Sequence, residues 1–68
     1  MSETEERVAK IKIAQSVDKY IIEKKLTLKK AAKRCGVPYQ KIDDIRYCRL
    51  GNYSIDRLNY IFTTLRGN

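Results

Sequence analysis

Apolar side chains recur along most of this chain at intervals of three and four residues, with charged positions between them. The clearest example is the C-terminal segment, whose apolar residues are Ile55, Leu58, Ile61, Phe62 and Leu65. This spacing places one apolar stripe along an α-helix. No segment shows the two-residue alternation of a strand bounded by turns. We therefore predict an all-α protein with helices near residues 3–25, 28–35, 38–49 and 55–66.

Glycines mark the predicted C-terminal ends of three helices. Gly36, Gly51 and Gly67 each follow a turn that carries basic residues. Glycine adopts the left-handed conformation that ends many helices, and bases in the last turn complement the helix dipole. We expect all three glycines to be left-handed.

Capping residues mark the predicted N-terminal ends. Ser2 with Glu5 fits a capping box, and Thr27 and Ser54 can cap the second and fourth helices. Pro38 suits the first turn of the third helix, where its missing N–H is not needed.

The first predicted helix has two apolar faces. Residues 13–24 carry one face, whereas Val8 and Ile11 lie well around the cylinder from it. We predict a single domain over residues 1–68, in which residues 1–12 form an N-terminal helical extension. Val8 and Ile11 either fold over the edge of the core or contact a dimer or other partner.

The charge is strongly positive and unevenly distributed. Fifteen Lys and Arg face eight Asp and Glu, which gives a formal net charge of +7. Six bases and no acid lie between residues 24 and 34: Lys24, Lys25, Lys29, Lys30, Lys33 and Arg34. Such a cluster favours a polyanionic partner, although a charge run is also typical of a solvated helix face.

Catalytic and metal-binding chemistry is poorly represented. The chain has no histidine, and Cys35 and Cys48 form no C-x-x-C pair, so we expect no metal and no cofactor. Asp43 and Asp44 are adjacent, so on a helix they diverge by about 100° and cannot act as a catalytic carboxylate pair. Neither a signal peptide nor a long apolar run is present. We expect a soluble, cytoplasmic protein with reduced thiols and no enzymatic activity.

Residues 27–45 have the pattern of two short helices separated by a glycine turn. Over residues 26–66 the chain resembles the lambda-repressor-like (Cro/XRE) helix-turn-helix family. The residues that carry the resemblance are Leu26, Thr27, Ala31, Ala32, Gly36, Val37, Ile42 and Ile45. The stretch 49–58 is similar to the corresponding part of HigA-type antitoxins and related phage regulators. The resemblance implies four to five helices, an extended first helix, and the helix-turn-helix at 27–49.

The resemblance also implies a function. It predicts a sequence-specific transcriptional repressor, acting as a homodimer that places helix 38–49 in the major groove of a palindromic DNA operator. The residues expected to contact bases are Tyr39, Gln40, Lys41 and Asp44. Those expected to contact the DNA backbone are Thr27, Lys29, Lys30, Arg49, Asn52, Tyr53 and Ser54.

Two features depart from the family pattern. Leu28 stands where the family often has a phosphate-contacting glutamine, and Pro38 stands where it usually has a capping serine or threonine. Asp43 and Asp44 also oppose the approach of phosphate, so we expect at least one of them to have a specific partner. An Asp43–Arg46 pair one turn apart is one arrangement.

Two other functions remain open at this point. The protein could be an antitoxin whose main role is to occlude a toxin through Val8 and Ile11 or the fourth helix. It could also bind RNA through the same basic face, with Tyr39, Tyr47 and Tyr53 stacking on unpaired bases.

Overall fold

The computed structural model describes residues 3–67, and the regular secondary structure in that range is all α-helical. The helices are α1 (Glu3–Glu23), α2 (Leu28–Cys35), α3 (Tyr39–Arg46) and α4 (Ile55–Leu65). The predicted all-α class and the four helices are thus confirmed. The Ser2 part of the predicted capping box lies outside the described residues.

The four helices enclose one core. α1 packs against α3 and α4, and α2 packs against the same two helices. The buried apolar residues come from every helix and from the linker before α4: Ala14, Val17, Ile21, Ala31, Ala32, Cys35, Ile42, Ile45, Leu50, Tyr53, Leu58, Ile61 and Leu65. Leu50 and Tyr53 lie between α3 and α4, where helical periodicity does not indicate which residues are buried.

The predicted caps of α2 and α4 are present. The Thr27 hydroxyl accepts a hydrogen bond from the Lys30 N–H at 3.1 Å. The Ser54 hydroxyl accepts one from the Arg57 N–H at 3.1 Å. Pro38 occupies the N-cap of α3, one residue before the first turn, and forms no side-chain cap.

α1, α2 and α3 end in the same chain reversal. In each, a left-handed residue follows the helix, and the next N–H donates to a carbonyl five residues back. The left-handed residues are Lys25, Gly36 and Cys48. The closing bonds are Leu26 N to Ile21 O at 3.0 Å, Val37 N to Ala32 O at 3.1 Å and Arg49 N to Asp44 O at 2.8 Å.

The predicted end of the third helix was wrong. α3 stops at Arg46, not at residue 49, and Cys48 is the left-handed residue with φ 57°. Gly51 does not have a positive φ, whereas Gly36 (φ 69°) and Gly67 (φ 82°) do, as predicted. Because the chain reverses at Cys48 and not at Gly51, the Leu50 side chain lies in the core.

Replacing glycine by alanine is therefore expected to change the free energy of unfolding differently at Gly36 and at Gly51. Gly36→Ala forces a side chain into a left-handed conformation and should destabilise the fold by about 1 kcal/mol. At Gly51 an added Cβ meets nothing within 4 Å and needs no positive φ. Gly51→Ala should leave stability unchanged or raise it by about 0.5 kcal/mol, because it restricts the unfolded chain. Urea denaturation of both variants measures the difference, and equal losses would contradict it.

α1 has a buried half and an exposed half. Its buried residues, Ala14, Val17 and Ile21, all lie in the second half. In the first half, Ile11 packs against the core edge, whereas Val8 remains 45% exposed. Val8 and Ile11, which were predicted to share one role, therefore differ: Ile11 contacts the core and Val8 faces solvent. Within residues 3–67, no helix has the length and apolar character needed to cross a membrane.

Candidate nucleic-acid interface

The N-terminal end of α3 presents a polar edge to solvent. Ile42 and Ile45, both 0% exposed, fix the opposite side of this helix to the core. Tyr39 is 49% exposed, and Gln40 and Lys41 are also exposed. Three of the four residues predicted to contact bases therefore lie together on an accessible edge.

The region just before α4 adjoins this edge. The Lys41 ammonium lies 5.3 Å from the centre of the Tyr53 ring, a cation–π contact. The Tyr53 hydroxyl donates to Asp44 Oδ2 at 3.1 Å. These contacts bring the Asn52–Ser54 segment next to α3, so two groups of predicted contact residues converge.

Asp44 differs from the other predicted base contacts. Its Oδ1 accepts from Arg49 Nε at 3.0 Å, and its Oδ2 accepts from Tyr53. The hydrogen bond from Arg49 holds the pKa of the Asp44 carboxyl below its usual value, and the Tyr53 hydroxyl adds to this effect against the opposing effect of desolvation. Both carboxylate oxygens are therefore already bonded within the protein.

Arg49 forms salt bridges with both acidic residues of α3. Its Nη2 donates to Asp43 Oδ2 at 2.9 Å, in addition to the bond from Nε to Asp44. The hydrogen bonds to Asp44 and Asp43 raise the pKa of the Arg49 guanidinium above its ordinary value. The expected partner of the adjacent acids is thus Arg49. The suggested Asp43–Arg46 pair is absent, because Arg46 instead lies 3.4 Å from Asp18 on α1.

Tyr53 is buried in the interior of the protein. Its side chain is only 5% exposed, although the sequence placed it among the DNA-backbone contacts. Burial, together with the bond to the Asp44 carboxylate, raises the pKa of Tyr53 to about 12. The aromatic residue before the α4 cap therefore acts as a packing residue that also bonds α3.

We expect this burial to appear in an alkaline titration. Because the pKa of Tyr53 rises from 10.0 to about 12 on folding, its stabilising contribution is complete below pH 10 and is lost as the pH approaches 12. Tyrosinate absorbance should show a late ionisation step for Tyr53, and Tyr53→Phe should remove it. A late step that persists in the Tyr53→Phe protein would contradict the assignment.

The basic residues between positions 24 and 34 have two kinds of environment. Lys24 and Arg34 lie 5.8 and 5.9 Å from the centre of the Tyr20 ring of α1. Lys29 and Lys30 lie on the exposed side of the first turn of α2, beside the Thr27 cap. The two lysines predicted to contact phosphate are therefore accessible.

No family model matches this chain, and neither a curated protein nor a solved structure matches it.

Proposed function

We propose that this protein is a sequence-specific DNA-binding transcriptional regulator that inserts α3 into the major groove as the second helix of a helix-turn-helix. The observation that carries the proposal is the exposed Tyr39–Gln40–Lys41 edge of a helix anchored by two fully buried isoleucines. An α-helix with its side chains is about 10–12 Å across, which suits a major groove about 12 Å wide. The net charge of +7 favours a polyanion of this kind.

Each residue of the edge has a chemical role in this proposal. Gln40 pairs with the N6 and N7 positions of adenine, and Lys41 donates to guanine O6 and N7 or to a phosphate. Tyr39 packs its ring on a thymine methyl group. Lys29, Lys30 and Asn52, with the capped helix starts at Thr27 and Ser54, hold the DNA backbone.

A homodimer on a palindromic operator accompanies this proposal. One helix of eight residues contacts only a few base pairs, so a second copy is needed for useful specificity. Val8, with its 45% exposure, is the apolar residue of the extension that is available to such a contact.

A direct test is selection from a pool of random DNA duplexes, followed by titration of the recovered duplex at several salt concentrations. We expect one preferred sequence with two-fold symmetry and an affinity that falls linearly on a log–log plot against salt. A single-stranded RNA of equal length serves as competitor at the same salt. Preferential displacement by RNA would favour the exposed Tyr39 and Tyr47 as stacking residues. An affinity that does not depend on salt would contradict the proposed contacts with phosphate.

A further inference from the structure

α3 carries two acids close to the edge proposed to enter DNA. The Asp43 and Asp44 side chains are 27% and 23% exposed, so neither is removed from solvent. Unpaired, two carboxylates on this helix would repel the phosphates on both sides of the groove. A helix with this composition needs a countercharge if it is to approach DNA.

Arg49 supplies that countercharge from outside the helix. Its guanidinium uses two different nitrogens, Nη2 at 2.9 Å for Asp43 and Nε at 3.0 Å for Asp44. The backbone N–H of Arg49 also donates to the Asp44 carbonyl at 2.8 Å. The left-handed Cys48 turns the chain so that Arg49 faces back along α3.

We propose that Arg49 is a positioning residue that offsets part of the negative charge of Asp43 and Asp44 and so permits α3 to approach DNA, rather than a residue that contacts phosphate itself. This inference rests on the proposed function. It assigns Asp44 to the support of α3 instead of to a base, because Arg49 and Tyr53 engage both of its oxygens. It differs from the roles that the family resemblance implies for Arg49 and Asp44.

The alternative role for Arg49 has a specific physical consequence. A phosphate contact would draw the guanidinium away from the acids and leave them unpaired beside the DNA. It would also add one phosphate to those that the protein neutralises, which increases the salt slope of binding by about 0.9. The two roles are therefore distinguishable by the salt slope and by removal of the acids.

The experiment compares Arg49→Gln, Asp43→Asn/Asp44→Asn and the triple variant on the duplex selected by the wild-type protein. The control is Arg66→Gln, which removes the same charge at the far end of α4, where Arg66 lies 4.6 Å from the Phe62 ring centre. Circular dichroism confirms that each variant is folded. Asparagine has the size and shape of aspartate, so the charge is the main change at positions 43 and 44. Glutamine keeps a hydrogen-bonding amide but is shorter than arginine, and the Arg66→Gln control contains the same truncation.

We expect Arg49→Gln to weaken binding by about tenfold. The triple variant replaces a cluster with one net negative charge by a neutral one, so it should bind no more than about threefold more weakly than wild type, with an unchanged salt slope. The Arg66→Gln control should bind within about threefold of wild type. A triple variant that stays weak with a reduced slope would show a phosphate contact and overturn the inference, as would wild-type binding by Arg49→Gln. If the wild-type protein selects no duplex, the proposed function itself fails, which is a separate outcome.

Discussion

Leu58→Ala is expected to remove a large part of the protein's free energy of unfolding. Leu58 is 0% exposed on α4, the helix that packs against both α1 and α2. Truncating a buried leucine to alanine costs about 2–5 kcal/mol, because transfer free energy is lost and a cavity remains. A chain of 68 residues has a total stability of only about 3–10 kcal/mol. Thermal unfolding followed by circular dichroism should show a midpoint lower by more than about 10 °C.

The matched control lies two residues further along the same helix. Tyr60 is 60% exposed, so Tyr60→Ala should change stability by no more than about 0.5 kcal/mol. Similar losses for the two variants would mean that α4 does not face the core as described.

Under the proposed function, Gln40→Ala is expected to relax the choice of DNA sequence. Loss of a bidentate contact to adenine costs about 1–3 kcal/mol on the preferred duplex. The affinity of this variant for duplexes altered at that base pair should change little, so its preference for adenine at that position disappears. Competitive fluorescence anisotropy with a set of single-base-pair variants of the selected duplex measures the change.

Lys30→Ala provides the contrasting variant. Lys30 is exposed at the start of α2, and removing a phosphate contact should weaken binding to every sequence and reduce the salt slope by about 1. Gln40→Ala should leave the slope unchanged. If the effects of the two variants were exchanged, α2 rather than α3 would be the element that distinguishes base pairs.

The sequence predicts the helices well because each is marked by local chemistry. The bounds of α2 match the prediction, since Thr27 offers a cap at one end and Gly36 a left-handed reversal at the other. The end of α3 was mispredicted because Cys48 adopts the left-handed conformation in place of a glycine. Non-glycine residues resist that conformation, so only the packing of the following segment, including buried Leu50, reveals it.

The polar cluster on α3 could be predicted only in part. The two adjacent acids indicated that a partner was needed, but the candidate one turn away, Arg46, pairs with Asp18 on another helix. Arg49 reaches both acids because the chain reverses at Cys48, and this reversal was itself not predicted. The burial of Tyr53 was missed for a related reason, since a lone aromatic between helices has no periodicity to show which way it faces.

The different surroundings of the two cysteines give the native chain a single natural labelling position. Cys35 is buried with its Sγ 3.6 Å from the Ile61 carbonyl oxygen, and burial raises the pKa of its thiol. Cys48 is exposed directly beside Arg49. A thiol-reactive fluorophore should therefore modify Cys48 and spare Cys35 while the protein is folded. The dye would stand next to the C-terminal end of α3, where it can report events at that helix without any engineered cysteine.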